Sequence, residues 1–188
     1  MPRDADTTRQ RIVVAAQKLY YGHGIRSASV DAIAARAGVT KKTFYYHFRS
    51  KDDVIAASLG SRDQPTLDIV GGWLNAPGPL ADRLATVFEK IAPLATNARW
   101  KGCGFLRTVA ELASTPGHPA VKAGAAHKKK MEAMFADAFR AEGISRPAEK
   151  ARQVMILFDG ALTEMFVHRD PDYAKVAGRA AAALAAAS

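Results

Sequence analysis

A single cysteine, Cys103, stands among 188 residues. No disulfide can form within the chain, which argues against the stapled scaffolds of small secreted proteins and fits a reducing cytoplasm. No apolar run reaches the ~20 residues that a membrane-spanning helix needs. The opening residues MPRDADTTRQ lack the apolar stretch of a secretory leader. A cytoplasmic location and no membrane partner are therefore expected. Strand-like alternation and internal repeats are absent. So are a Gly-rich phosphate loop, a Ser-His-Asp or Cys-His set and a catalytic carboxylate pair, which leaves an enzyme reading little support. No cofactor is expected. Hydrophobic residues make up 48% of the chain, enough for a real core.

Acidic residues are also scarce: 18 Asp and Glu face 27 Lys and Arg, a net charge of +9. The shortage is local. Residues 1–51 hold ten basic residues against Asp4, Asp6 and Asp31, so +7 of the excess lies in about the first quarter of the chain. A merely solvated basic surface does not predict that concentration, whereas phosphate binding does.

That segment has helical grammar. Val30, Ile33, Ala34 and Ala37 form one apolar face. Ser29 is the candidate N-cap, Asp31 suits the first turn, and Gly38 ends the helix. Thr40 then caps a second helix, with Val39 and Phe44 at the spacing of a hydrophobic staple. Phe44 and Phe48 share its inner face, which leaves Lys41, Lys42, Thr43, Tyr45, Tyr46 and His47 pointing elsewhere on an acid-free helix. Ser50 to Asp53 reads as a capping box that starts a third. Two short helices joined by a glycine turn make a helix-turn-helix, whose second helix enters the DNA major groove.

The residues RAGVTKKTFYYHF followed by SKDD resemble the DNA-binding signature of the TetR family of bacterial transcriptional regulators. The resemblance covers about the first quarter of the chain. It departs at Ala28, where the family often carries a second hydroxyl residue beside Ser29. The resemblance implies that Tyr45 and His47 touch phosphate or sugar, that Lys51 holds a phosphate, and that Thr40 to Thr43 approach bases. Ser29 and Tyr46 complete the expected DNA-binding set.

Around this signature the rest of the chain reads as all-α. Residues 1–6 read as a disordered tail. A first helix begins at the Thr7–Gln10 capping box, carries Ile12, Ala15, Ala16 and Leu19, and stops at Gly22 and Gly24. From Lys51 a connector over 51–75 is interrupted by Gly60, Pro65 and Gly71-Gly72, which predicts a kink or two shorter helices. Loops are expected at 75–80 and 114–119. Between and beyond them lie helices carrying Leu80, Leu84, Phe88 and Ile91, then Phe105, Leu106, Val109 and Leu112, then Pro119 to Glu142. Another starts near Pro147. The last, capped by Asp170, has Ala177, Ala180, Ala181 and Leu184 as its stripe.

The expected organisation is a helix-turn-helix domain over residues 1–50 and a helical ligand-binding and dimerisation domain over 51–188. Phe88, Trp100, Phe105, Met131, Phe135, Met155 and Phe158 are candidates for an effector cavity, although residues at helical spacing are as readily ordinary core. Cys103 reads as a plain buried thiol, 127–130 as a solvated basic run, and Glu164 with His168 as a surface pair rather than a metal site; no metal is expected. The function expected is a homodimeric repressor, joined through its last two helices, bound to an inverted-repeat double-stranded DNA operator and released by a small hydrophobic effector. The alternatives are a ligand-independent or activating regulator, or a helical carrier or enzyme with a vestigial head.

Overall fold

The computed structural model describes the backbone of residues 2–186 and the side chains of residues 5–186. Among them are ten α-helices and no strand. In order these are α1 Pro2–His23, α2 Val30–Ala37, α3 Lys41–His47, α4 Lys51–Gly60, α5 Asp63–Leu74, α6 Leu80–Ile91, α7 Gly104–Glu111, α8 Pro119–Ala141, α9 Pro147–His168 and α10 Asp172–Ala186. A short 3-10 turn, Ala92–Leu94, follows α6, where Pro93 cannot continue the α-helical ladder.

The chain forms two compact units. The first comprises the chain up to Gln64 together with Gly104–Ala126, and the second comprises Pro65–Cys103 and the chain from His127 onward. In the first, α1 packs on α2 and α4. Ile12, Val13, Ala16, Ile33, Phe44 and Val54 close a core that leaves Ile12, Ile33, Phe44 and Val54 with no exposed surface. Gly38, at φ 65°, ends α2 in the left-handed conformation that glycine adopts without strain. The tail expected over residues 1–6 is corrected from residue 2 onward, because α1 is already helical at Pro2. Proline at the first helical position loses no hydrogen bond and is pre-set in φ. Met1 lies outside the described residues.

Gly60 and Pro65 act as expected: α4 and α5 are two shorter helices, and Pro65 sits in the first turn of α5, where its missing N–H is harmless. Gly71 and Gly72 do not interrupt α5. A Cβ on Gly71 would come within 3.2 Å of the Met134 sulfur, so this glycine makes room for a neighbour rather than breaking the helix.

In the second unit Leu74, Leu84, Phe88, Phe135, Phe139 and Met165 are fully enclosed. α10 packs chiefly on α6 and then on α9. A Cβ at Gly178 would lie 2.9 Å from the Phe88 Cβ, a separation real side chains do not adopt, so only glycine permits this approach. The alanine stripe therefore differs from expectation. Ala177 and Ala181 are buried, with Ala174 and Gly178 beside them, whereas Ala180 faces outward. On α7 the expected stripe divides as well, with Phe105 buried and Leu106 39% exposed.

Phe44→Ala should cost about 3–5 kcal/mol, the usual loss for a fully enclosed phenylalanine. Hydrogen exchange of the α2 and α3 amides in the variant checks this. Protection left unchanged would show that the head does not depend on that ring.

Candidate nucleic-acid interface

The helix-turn-helix is built from caps and one buried edge. The Ser29 Oγ accepts the Ala32 amide at 3.1 Å, and the Thr40 Oγ1 accepts the Thr43 amide at 3.1 Å. The Thr40 and Thr43 hydroxyls are also bonded to one another at 2.9 Å. Phe44 and Phe48 turn inward, with ring centroids 6.0 Å apart. Tyr46 is left 80% exposed and Tyr45 49% exposed. Thr40, Lys41 and Lys42 are exposed as well, while Thr43 and His47 are half-buried. The outer face of α3 is therefore a continuous strip of hydroxyls, ammonium groups and aromatic edges with no acid on the helix.

Charge on this strip is partly spoken for. The Lys41 ammonium lies 3.1 Å from the Asp31 carboxylate, both well exposed, a pair worth little in water and readily exchanged for a phosphate. Lys42 carries no such partner among the described residues. The Lys51 ammonium donates at 2.6 Å to the Ile25 carbonyl, so this residue holds the start of α4 to the segment before α2. All nine expected DNA-binding residues thus belong to one unit and gather at the start of α2, along α3 and at the start of α4.

Several contributors carry no local signal in the sequence. The Arg11 guanidinium bonds the Ala37 carbonyl at 2.6 Å and the Gly38 carbonyl at 3.2 Å, which satisfies the C-terminal end of α2 from 26 residues away. Arg9 lies 4.7 Å over the Phe48 ring. Ala5 and Thr8 of α1 share a groove with Lys42, Thr43, Tyr46 and His47 of α3. Such pairings depend on how α1 packs and can be found only in three dimensions.

The seven effector candidates divide between the units. Phe105 belongs to the first, and the other six to the second, where they join its core. Phe88 meets Phe158 edge-to-face at 5.8 Å and Phe135 meets Phe158 at 6.4 Å. Cys103 is half-buried rather than buried as expected, with the Lys128 ammonium 3.9 Å from its sulfur. Lys128 also pairs with Asp159. The basic run spreads round α8, with His127 buried and Lys129 and Lys130 exposed. His168 and Glu164 form an i,i+4 surface pair at 3.2 Å. No group of three potential metal ligands occurs among the described residues, and no helix is long and apolar enough to cross a membrane.

A capped helix pair presenting a basic, acid-free second helix defines a helix-turn-helix protein. Residues 12–58 match the model of the bacterial regulatory proteins of the tetR family. The chain is 44% identical over 62 residues to the HTH-type transcriptional regulator SrpR of Pseudomonas putida, a match covering 33% of this chain and 29% of that protein. It is 28% identical over 98 residues to the HTH-type transcriptional repressor BepR of Brucella suis, covering 51% and 47% respectively. The aligned part thus spans less than half the length of these curated relatives.

Solved structures match almost end to end. A TetR-type regulator from Streptomyces avermitilis superposes with a TM-score of 0.80 at 29% identity, covering 93% of this chain and 97% of the other. A TetR-family transcriptional regulator from Streptomyces coelicolor gives 0.82 at 27% identity, covering 95% and 94%. Residues 12–58 thus match the TetR-family helix-turn-helix, and the chain as a whole is similar in fold to these solved TetR-type regulators.

Lys51→Ala should lower the stability of the first unit by about 1.5–3 kcal/mol, because it removes a charge-assisted, half-buried hydrogen bond. Urea unfolding without DNA measures it. A change under about 0.5 kcal/mol would return Lys51 to a purely surface role.

Proposed function

We propose that this chain is a homodimeric DNA-binding transcriptional regulator, a repressor released from an inverted-repeat operator by a small apolar effector. Residues 1–50 serve as the reading head, 51–75 as connector, and 51–188 as the ligand-binding and dimerising body. The observation that carries the reading is the exposed face of α3, which is acid-free and set on a helix-turn-helix whose inner edge is fully buried. In this arrangement Thr40 to Thr43 approach base edges, while Tyr45, Tyr46, His47 and the Ser29 hydroxyl meet phosphate or sugar. The names of the relatives, regulator and repressor, support the same direction.

Dimerisation has its own support. On the outer faces of α9 and α10, Ile156 is 68% exposed, Val176 56% and Tyr173 38%. These side chains, with Ala180, rim a shallow apolar groove. A second copy related by a two-fold axis covers such a face most economically, as a four-helix arrangement. The effector would bind within the second unit beside Phe88, Phe135 and Phe158, at a space opened by rotamer changes of Met131 and Met155.

Two measurements test this. Lys42→Ala and Tyr45→Ala should weaken binding to the DNA flanking the protein's own gene regardless of base sequence, and Lys42→Ala should also flatten the salt dependence by about one unit of slope. Fluorescence anisotropy across a salt series reads both, and unchanged affinity in the two variants would remove α3 from the interface. Val176→Lys should convert the dimer to monomer on light scattering and lower operator affinity by about 10²-fold or more through lost bivalency. A wild-type chain that is monomeric at micromolar concentration would refute the dimer.

A further inference from the structure

The first unit contains a cleft that the DNA-facing strip does not use. It lies between the C-terminal half of α1, the middle of α4 and α7, and it opens to solvent at its mouth. Its walls are mainly apolar, formed by Ile25, Ile55, Leu59 and the rings of Tyr20 and Tyr21. Its polar groups are out of keeping with those walls. The Tyr20 hydroxyl and the Ser58 Oγ are both buried in the cleft lining, and neither has a hydrogen-bond partner among the described residues. Ser58 as a whole is only 5% exposed. Native proteins rarely keep buried hydroxyls unsatisfied, and a helical serine commonly bonds a carbonyl one turn back, which Ser58 Oγ does not do.

The charges of the cleft indicate the sign of the missing partner. Glu111 is already engaged, its Oε1 accepting the Arg26 amide at 2.8 Å. Arg107 lies 5.6 Å over the Tyr21 ring and pairs with no carboxylate among the described residues. Burial, and after it the Asp52 carboxylate, holds the Tyr20 hydroxyl far above the usual tyrosine range, so it stays protonated and able to donate. Two buried donors and a guanidinium stacked on an aromatic ring, set in an apolar slot, suit a flat ring carrying one anionic group.

We propose that this cleft binds a small aromatic carboxylic acid, its ring between the tyrosines and the α4 side chains, its carboxylate on Arg107 and the Tyr20 and Ser58 hydroxyls. The site is distinct from the effector region proposed in the second unit, and it requires nothing about DNA to be true. The two hydroxyls are then retained for the ligand at the expense of the empty fold.

The test uses the full-length protein without DNA, with benzoate as probe and benzyl alcohol as its uncharged counterpart, followed by calorimetry and thermal melting. Benzoate should bind and raise Tm. Arg107→Gln should weaken benzoate about tenfold or more while changing benzyl alcohol by less than about twofold, as expected for loss of a charged hydrogen-bonding partner. Ser58→Ala and Tyr20→Phe should each weaken benzoate yet leave the Tm of the ligand-free protein unchanged or higher, an outcome that a merely structural hydroxyl does not produce. Failure of the wild type to bind millimolar benzoate would overturn the proposal. So would benzoate affinity indifferent to Arg107→Gln and Ser58→Ala, or benzyl alcohol binding as tightly as benzoate. Because no operator is present, none of these results bears on the regulatory reading above.

Discussion

The head depends on the burial of one ring, Phe44. α3 has seven residues, far fewer than an isolated helix needs to persist in water. It exists because Phe44, with no exposed surface, anchors it to α1 and α2, and because Thr40 caps one end. Burying that edge also decides what remains outside. With Phe44 and Phe48 turned in, helical geometry places Lys42, Tyr45 and Tyr46 on the opposite side. A single apolar constraint thus produces both the stability of the element and the chemistry it presents. Arg11 completes the arrangement by satisfying carbonyls that the glycine turn leaves open.

The second unit follows a different rule, in which absent side chains matter more than large ones. Gly178 lets α10 approach α6 until it touches Phe88, and Ala174, Ala177 and Ala181 are buried on the same helix. Alanine and glycine on the inner face leave the larger Val176 and Tyr173 for the outer one. The buried Lys150 donates to the Leu184 carbonyl at 2.9 Å and so secures the end of α10. Tight inward packing of small residues and an apolar exterior are two results of one substitution pattern.

Much of this was legible in the sequence wherever the cause was local. Ser29, Thr40 and Ser50 announce their caps because the bonded amides lie three residues away. Gly38 and Pro65 announce their backbone because each restricts or frees its own φ. The Phe44–Phe48 edge follows from helical period alone. What escaped was set by distant neighbours. Arg11 and Lys51 read as generic positive charge, yet each bonds a carbonyl 26 residues away. Gly71 looked like a breaker because its partner, Met134, lies on another helix. The alanine stripe pointed correctly at close packing but did not say that α6, within the same chain, would occupy it. The two unsatisfied hydroxyls of the cleft could not be foreseen, since lacking a partner is a property of the whole surroundings.

The length of α1 lets one helix serve two parts of the head. At a rise of about 1.5 Å per residue, Thr8 and Tyr20 stand roughly 18 Å apart on one rigid rod. Thr8 shares the groove beside α3 with Lys42 and Tyr46, and Tyr20 lines the cleft. Between them Ile12, Val13 and Ala16 sit in the core. α1 therefore runs unbroken from the groove, through the core, to the cleft. The groove face and the cleft thus draw on the two ends of a single helix.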